Sequence, residues 1–175
     1  MRMVARGLER VLEWFLIFQM VALTVVVVYA VVMRKAGASL IWYDEVAAIQ
    51  LAWITFYGAA LAALKRKHIG FDGVLLAMPR GMRAVALVVA EALTVLFFGM
   101  LTWAGWTVVT ILRGMNLESL SWVPVQFTQS VIPIGGALYI LATLLSFPEY
   151  WRLTMAGVSL EHPEITPETA GETKA

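Results

Sequence analysis

The sequence predicts an all-α integral membrane protein with four transmembrane helices, both termini in the cytoplasm, and short interfacial segments. Three observations carry that prediction. Of 175 residues, 61% are hydrophobic and only 14% are charged, where a soluble domain keeps about a quarter of its residues charged. Four apolar runs each approach or reach the ~20 residues with which a helix crosses a bilayer at about 1.5 Å per residue. The charges cluster between those runs instead of being spread along them.

The first run, 14–33, carries no charge. Arg2, Arg6 and Arg10 precede it and Ala36-Gly37-Ala38 follow, which raises the possibility of a signal peptide. Its apolar core exceeds the ~7–15 residues of such a peptide. Arg34 and Lys35 also separate it from the small residues, so it is expected to be retained as a helix. The second run, 46–64, opens on Asp44 and Glu45 and ends in Lys65-Arg66-Lys67-His68. The third, 88–112, contains Glu91 near its start. The fourth, 126–147, contains Pro133, Gly135 and Gly136. Residues 1–152 are read as one four-helix transmembrane domain. Residues 153–175 are rich in Pro, Thr and Glu and show no apolar period, the pattern of a disordered cytoplasmic tail.

Basic residues give the orientation. Ten of the 13 Lys and Arg fall on the side of the termini and the second loop, and three on the other. Positive loops stay in the cytoplasm. Trp14 and Trp151 then lie at the inner boundary and Trp42 and Trp122 at the outer one, where indole rings collect. Helical rise puts Trp53, Trp103 and Trp106 at similar depths, about 10–15 Å below the outer end. They either form an aromatic layer between the second and third helices or face lipid.

The residue types exclude several chemistries. There is no cysteine, which removes thiol redox chemistry, disulfides and Cys-based metal sites. His68 and His162 are too far apart in sequence for a helical metal pair. No Ser-His-Asp set or nucleotide-binding fingerprint occurs, and no enzymatic activity is expected. A net charge of +1 does not point to nucleic acid.

Candidate functional residues are of three kinds. Asp44 and Glu45 complement the positive end of the second helix dipole, or else contact a partner protein or Arg34 and Lys35. Lys65, Arg66 and Lys67 complement its negative end and meet anionic headgroups; His68 and Asp72 shape the following turn. Ala48, Ala52, Thr55, Ala59 and Ala62 recur every three or four residues and form a small-residue stripe for a close neighbour. Gly135 and Gly136 invite another neighbour, and Pro133 should bend the fourth helix. Glu91 is the one acid that a bilayer could bury, and such acids are candidate ion or proton carriers. The plainer reading rests it at the inner interface near Arg83.

Trp42-x-Asp44-Glu45, then Trp53, then "FYGAALAALKRKHIGFD" resemble the DctQ-like small membrane subunit of tripartite ATP-independent periplasmic (TRAP) transporters. The matching features are the acidic pair, the Gly-Ala-rich end from Gly58 to Ala63, the bases, and His68-Ile69-Gly70-Phe71-Asp72. "LSWVPVQFTQSVIPIGGALYIL" is similar to the family's Pro-containing fourth helix. Tyr43 departs from the pattern, standing where the family carries a small hydroxyl residue.

The resemblance implies a small subunit in a bacterial inner membrane, acting as a scaffold or stator. It implies a separate large membrane subunit that holds the substrate and sodium sites. A periplasmic binding protein would deliver an organic acid. No cofactor or metal is expected in this chain. The alternative is a self-contained four-helix exporter using Glu91.

Overall fold

The computed structural model describes residues 2–66 and 78–157. They form five α-helices: α1 Arg2–Lys35, α2 Tyr43–Lys65, α3 Arg80–Ile111, α4 Val125–Gln129 and α5 Val131–Ala156. With α4 and α5 taken as one crossing, four segments are long and apolar enough to span a membrane. The spans run up and down, so α1 begins and α5 ends at the same end of the bundle.

The helices exceed the predicted limits. α1 begins at Arg2 instead of near residue 14, and α3 at Arg80 instead of near 88. At about 1.5 Å per residue these two are roughly 50 Å long, well over a ~30 Å hydrocarbon layer, so each must tilt or project. α5 runs to Ala156, past the predicted span end at 147 and the domain limit at 152. Gly157, at φ 83°, ends it in a left-handed C-cap, the conformation glycine adopts most easily. The tail expected to be disordered lies, from residue 158 on, outside the described residues.

The predicted bend near Pro133 takes the form of an interruption at Ser130, between α4 and α5. Proline has no N–H for the carbonyl four residues back, and its ring crowds that carbonyl. For Pro133 that position is Gln129, where α4 ends.

α5 is the central element. It packs on α2 along one side and on α3 along another, while α1 lies mainly against α2. Two adjacent glycines make this possible. A β-carbon on Gly135 would stand 2.7 Å from Cβ of Phe56 on α2, and one on Gly136 would press on the Thr102 hydroxyl of α3. Gly105 of α3 returns the contact, since a β-carbon there would lie 2.6 Å from Ile132. Below the glycines Phe98 stacks on Tyr139 with ring centroids 3.6 Å apart. Leu12, Ala60, Ala63, Tyr139 and Ala142 form the buried core.

In water the large apolar side chains exposed on α1 and α3 would be an aggregation hazard. In lipid they are ordinary surface, and helix association depends on close packing and interhelical hydrogen bonds instead. The threonines of the spans fit that setting. Thr55, Thr102 and Thr107 each donate to the carbonyl four residues back, at 2.8, 2.7 and 3.1 Å, so these three hydroxyl donors are satisfied.

Candidate functional site

The polar groups of the bundle gather at its two ends. At the end shared with the amino terminus, α2 finishes on Lys65 and Arg66, and both side chains turn to other helices. Lys65 pairs with Glu13 and, at 3.2 Å, with Glu9. Those acids are four residues apart on α1, hence on one face of it. Arg66 pairs with Glu91 of α3. Its guanidinium also donates to the Thr143 carbonyl at 2.9 Å and to the Ser146 hydroxyl at 2.7 Å, both on α5. It lies over the Tyr150 ring, 4.5 Å from the centroid, a favourable cation–π position.

This cluster ties all four spans together. The Arg66 and Glu91 side chains are only 16% and 15% exposed. A buried charge is tolerated when it is paired and its remaining hydrogen-bonding positions are filled. Ser146 extends the network by meeting the Ala63 carbonyl at 3.2 Å.

Arg66 holds this position at the expense of its backbone. Its φ of 52° and ψ of 31° place it in the left-handed region, which costs a non-glycine residue roughly 1–2 kcal/mol. From there its N–H bonds back to Ala62 and Ala63, and its side chain points into the bundle instead of continuing along α2.

Lys65 and Arg66, the bases expected to meet headgroups, are engaged with acids of neighbouring helices. One expectation is corrected here. Glu91 was expected near Arg83. That arginine instead donates to the carbonyls of Thr154 and Met78, at 3.0 and 3.1 Å, closing α3 onto the end of α5. Lys67, His68 and Asp72 lie outside the described residues. A cleft of about 610 Å³ opens at this end, with Arg6, Glu9, Glu149 and Arg152 among its walls. Its mixture of acids and bases does not single out an ion.

At the opposite end Glu45 is the anchor. Its carboxylate accepts from the backbone N–H of Ser119 at 3.0 Å, from that of Glu118 at 3.3 Å, and from the Ser119 hydroxyl. It thereby ties the loop between α3 and α4 to the first turn of α2, besides complementing the helix dipole. The loop braces itself through Leu117 N–H to the Val123 carbonyl and Val125 N–H to the Met115 carbonyl, each 3.0 Å. Asp44 is exposed. Arg34 goes to neither acid; it hydrogen-bonds the Tyr43 hydroxyl and lies 5.3 Å from that ring's centroid. Trp42, the N-cap residue of α2, makes no side-chain capping bond.

The three tryptophans do not form one layer. Trp53 turns inward, donates to the Thr128 carbonyl at 3.1 Å, and packs with Phe15, Tyr57 and Phe127. Trp103 and Trp106 point outward, 75% and 62% exposed. α5 stands between α2 and α3, so those two helices have no shared face on which to form the layer.

The small-residue stripe on α2 is also redistributed. On α2 the buried alanines are Ala60 and Ala63. Ala48 and Thr55 are exposed, while Ala52, Ala59 and Ala62 are half-buried. A β-carbon on Gly58 would meet nothing within 4 Å, so that part of α2 remains open to a neighbour.

Among the described residues no three His, Asp or Glu side chains stand together as a metal site. The architecture is that of a multi-pass membrane protein whose charged side chains bind its own helices together. More particularly, the chain belongs to the DctQ component family of the tripartite ATP-independent periplasmic transporters, whose family model matches residues 23–153. No curated protein matches the chain. The DctQ family is one of transporter components and not of enzymes.

Proposed function

We propose that this chain is the small membrane subunit of a sodium-coupled, binding-protein-dependent importer of an organic acid. It acts as a fixed scaffold for a large membrane subunit, a separate chain that carries the substrate and sodium sites. A periplasmic binding protein delivers the substrate. The assembly sits in a bacterial inner membrane, with both termini of this chain in the cytoplasm. No sodium site or cofactor is assigned to this subunit.

Beyond the family match, one observation supports the scaffold reading. The charges within the spans bind helix to helix, and the middle of the bundle is filled by rings and small residues: Phe56 on Gly135, Phe98 on Tyr139. Such an interior resists rearrangement and offers an ion no stepping stones. Glu91, the residue on which a self-contained exporter would depend, is bound to Arg66.

Uptake into proteoliposomes tests the proposal. This chain alone is expected to give no sodium-dependent uptake of organic acids. The large subunit and binding protein should need it for full uptake. Robust transport by the isolated chain would favour the exporter instead.

A further inference from the structure

We propose that the outward face of α3 around Trp103 and Trp106 is the surface that the large membrane subunit covers, while the exposed face of α1 meets lipid. This rests on the proposed function, which supplies the partner.

Depth carries the argument. Thr102, next to Trp103, meets Gly136, and the adjoining Gly135 meets Phe56. Phe56 lies about 20 Å from the start of α2 and about 14 Å from its end by helical rise. Trp103 is therefore near the middle of a ~30 Å hydrocarbon layer, with Trp106 about one turn towards the outer end. Indole rings prefer the interfaces, where the N–H finds an acceptor. In mid-bilayer lipid it finds none, and an unpaired donor there is costly.

The molecule contains its own comparison. Trp53, also well inside the span, has its N–H satisfied by the Thr128 carbonyl. Trp103 and Trp106 are exposed and have no acceptor among the described residues. A facing helix with a free carbonyl or hydroxyl would supply it, as interhelical hydrogen bonds do in membranes. Gly99 and Ala104 keep this face low enough for a helix to approach, and a β-carbon on Gly99 would meet nothing within 4 Å. On α1 the exposed stripe of Phe18, Val21, Val25 and Val28 carries no side-chain N–H or O–H, and the exposed Trp14 and Tyr29 stand nearer the two ends of that span.

The chain has no cysteine, so single cysteines report without ambiguity. Met100→Cys and Thr107→Cys keep both tryptophans and flank them on α3; Phe18→Cys and Val25→Cys mark α1. Each variant is co-expressed with the large subunit and coupled to a short photo-crosslinker. Crosslinks to the large subunit are expected from positions 100 and 107 and not from 18 and 25. A second arm removes only the N–H groups. Trp103→Phe and Trp106→Phe should each lower the large subunit retained on purification by roughly threefold, the scale of one interhelical hydrogen bond. Trp14→Phe on α1 should leave it unchanged. A complex that forms and crosslinks through α1 alone overturns the assignment of faces and leaves the proposed function standing. Failure of any complex to form overturns the proposed function, and this assignment with it.

Discussion

An Arg66→Leu variant is expected to lose stability, by up to about 3–5 kcal/mol, the cost of leaving one member of a fully buried ion pair alone. Leucine would leave the Glu91 carboxylate without its arginine and would take one partner each from the Thr143 carbonyl and the Ser146 hydroxyl. Arg66→Leu combined with Glu91→Leu should be more stable than Arg66→Leu alone, because no charge is then left unpaired. The backbone effect can be separated. Glycine at position 66 relieves the left-handed strain of roughly 1–2 kcal/mol and still loses the side-chain ties, so Arg66→Gly should recover only part of the loss. Unfolding midpoints of the four proteins, measured in one detergent, decide the matter. An Arg66→Leu midpoint equal to that of the unmodified chain would show that the cluster is not a tie.

Gly135→Val is expected to have the second-largest effect. Its β-carbon alone would sit 2.7 Å from Cβ of Phe56, and two further methyl groups would follow. Overpacking a tight contact costs typically 1–3 kcal/mol, occasionally more, and here the strain falls on the seam between α2 and the central helix. Gly58→Ala and Gly99→Ala serve as controls. Both lie within helices with nothing inside 4 Å, so they should gain up to about 1 kcal/mol through helix propensity. The same unfolding assay should therefore separate the valine variant from both alanine variants. A Gly135→Val protein as stable as the parent would contradict the packing of α5 between α2 and α3.

The sequence made the spans legible because apolar runs of this length have few other uses. Their ends were less legible. Arg2, Arg6, Arg10, Glu9 and Glu13 look like a solvated leader, yet α1 includes them, since Glu9 and Glu13 find Lys65 across the interface. The partners that the charged residues find within the bundle were less legible than the residues themselves. Lys65 and Arg66 are adjacent bases that suggest a headgroup contact. Nothing local reveals that α2 stops in a left-handed turn that swings Arg66 into the bundle. The pairing of Arg66 with Glu91 had one usable signal, an acid and a base both close to the same end of their spans. Ser146 and Tyr150 gave none beyond being polar groups in or beside an apolar run. Gly135 and Gly136 were legible as a close approach, but not that adjacent glycines would serve two different helices.

The central claim, that this chain is the fixed part of a transporter, is tested most directly by locking it to the large subunit. One cysteine on this otherwise cysteine-free chain and one on the surface it contacts in a cysteine-free large subunit define a single reducible bond. Sodium-dependent organic-acid uptake is then measured before crosslinking, after it, and after reduction. The account predicts the same uptake rate in all three states, because a scaffold and the surface fixed to it do not move apart during transport. Uptake that falls in proportion to the crosslinked fraction and returns on reduction would contradict it.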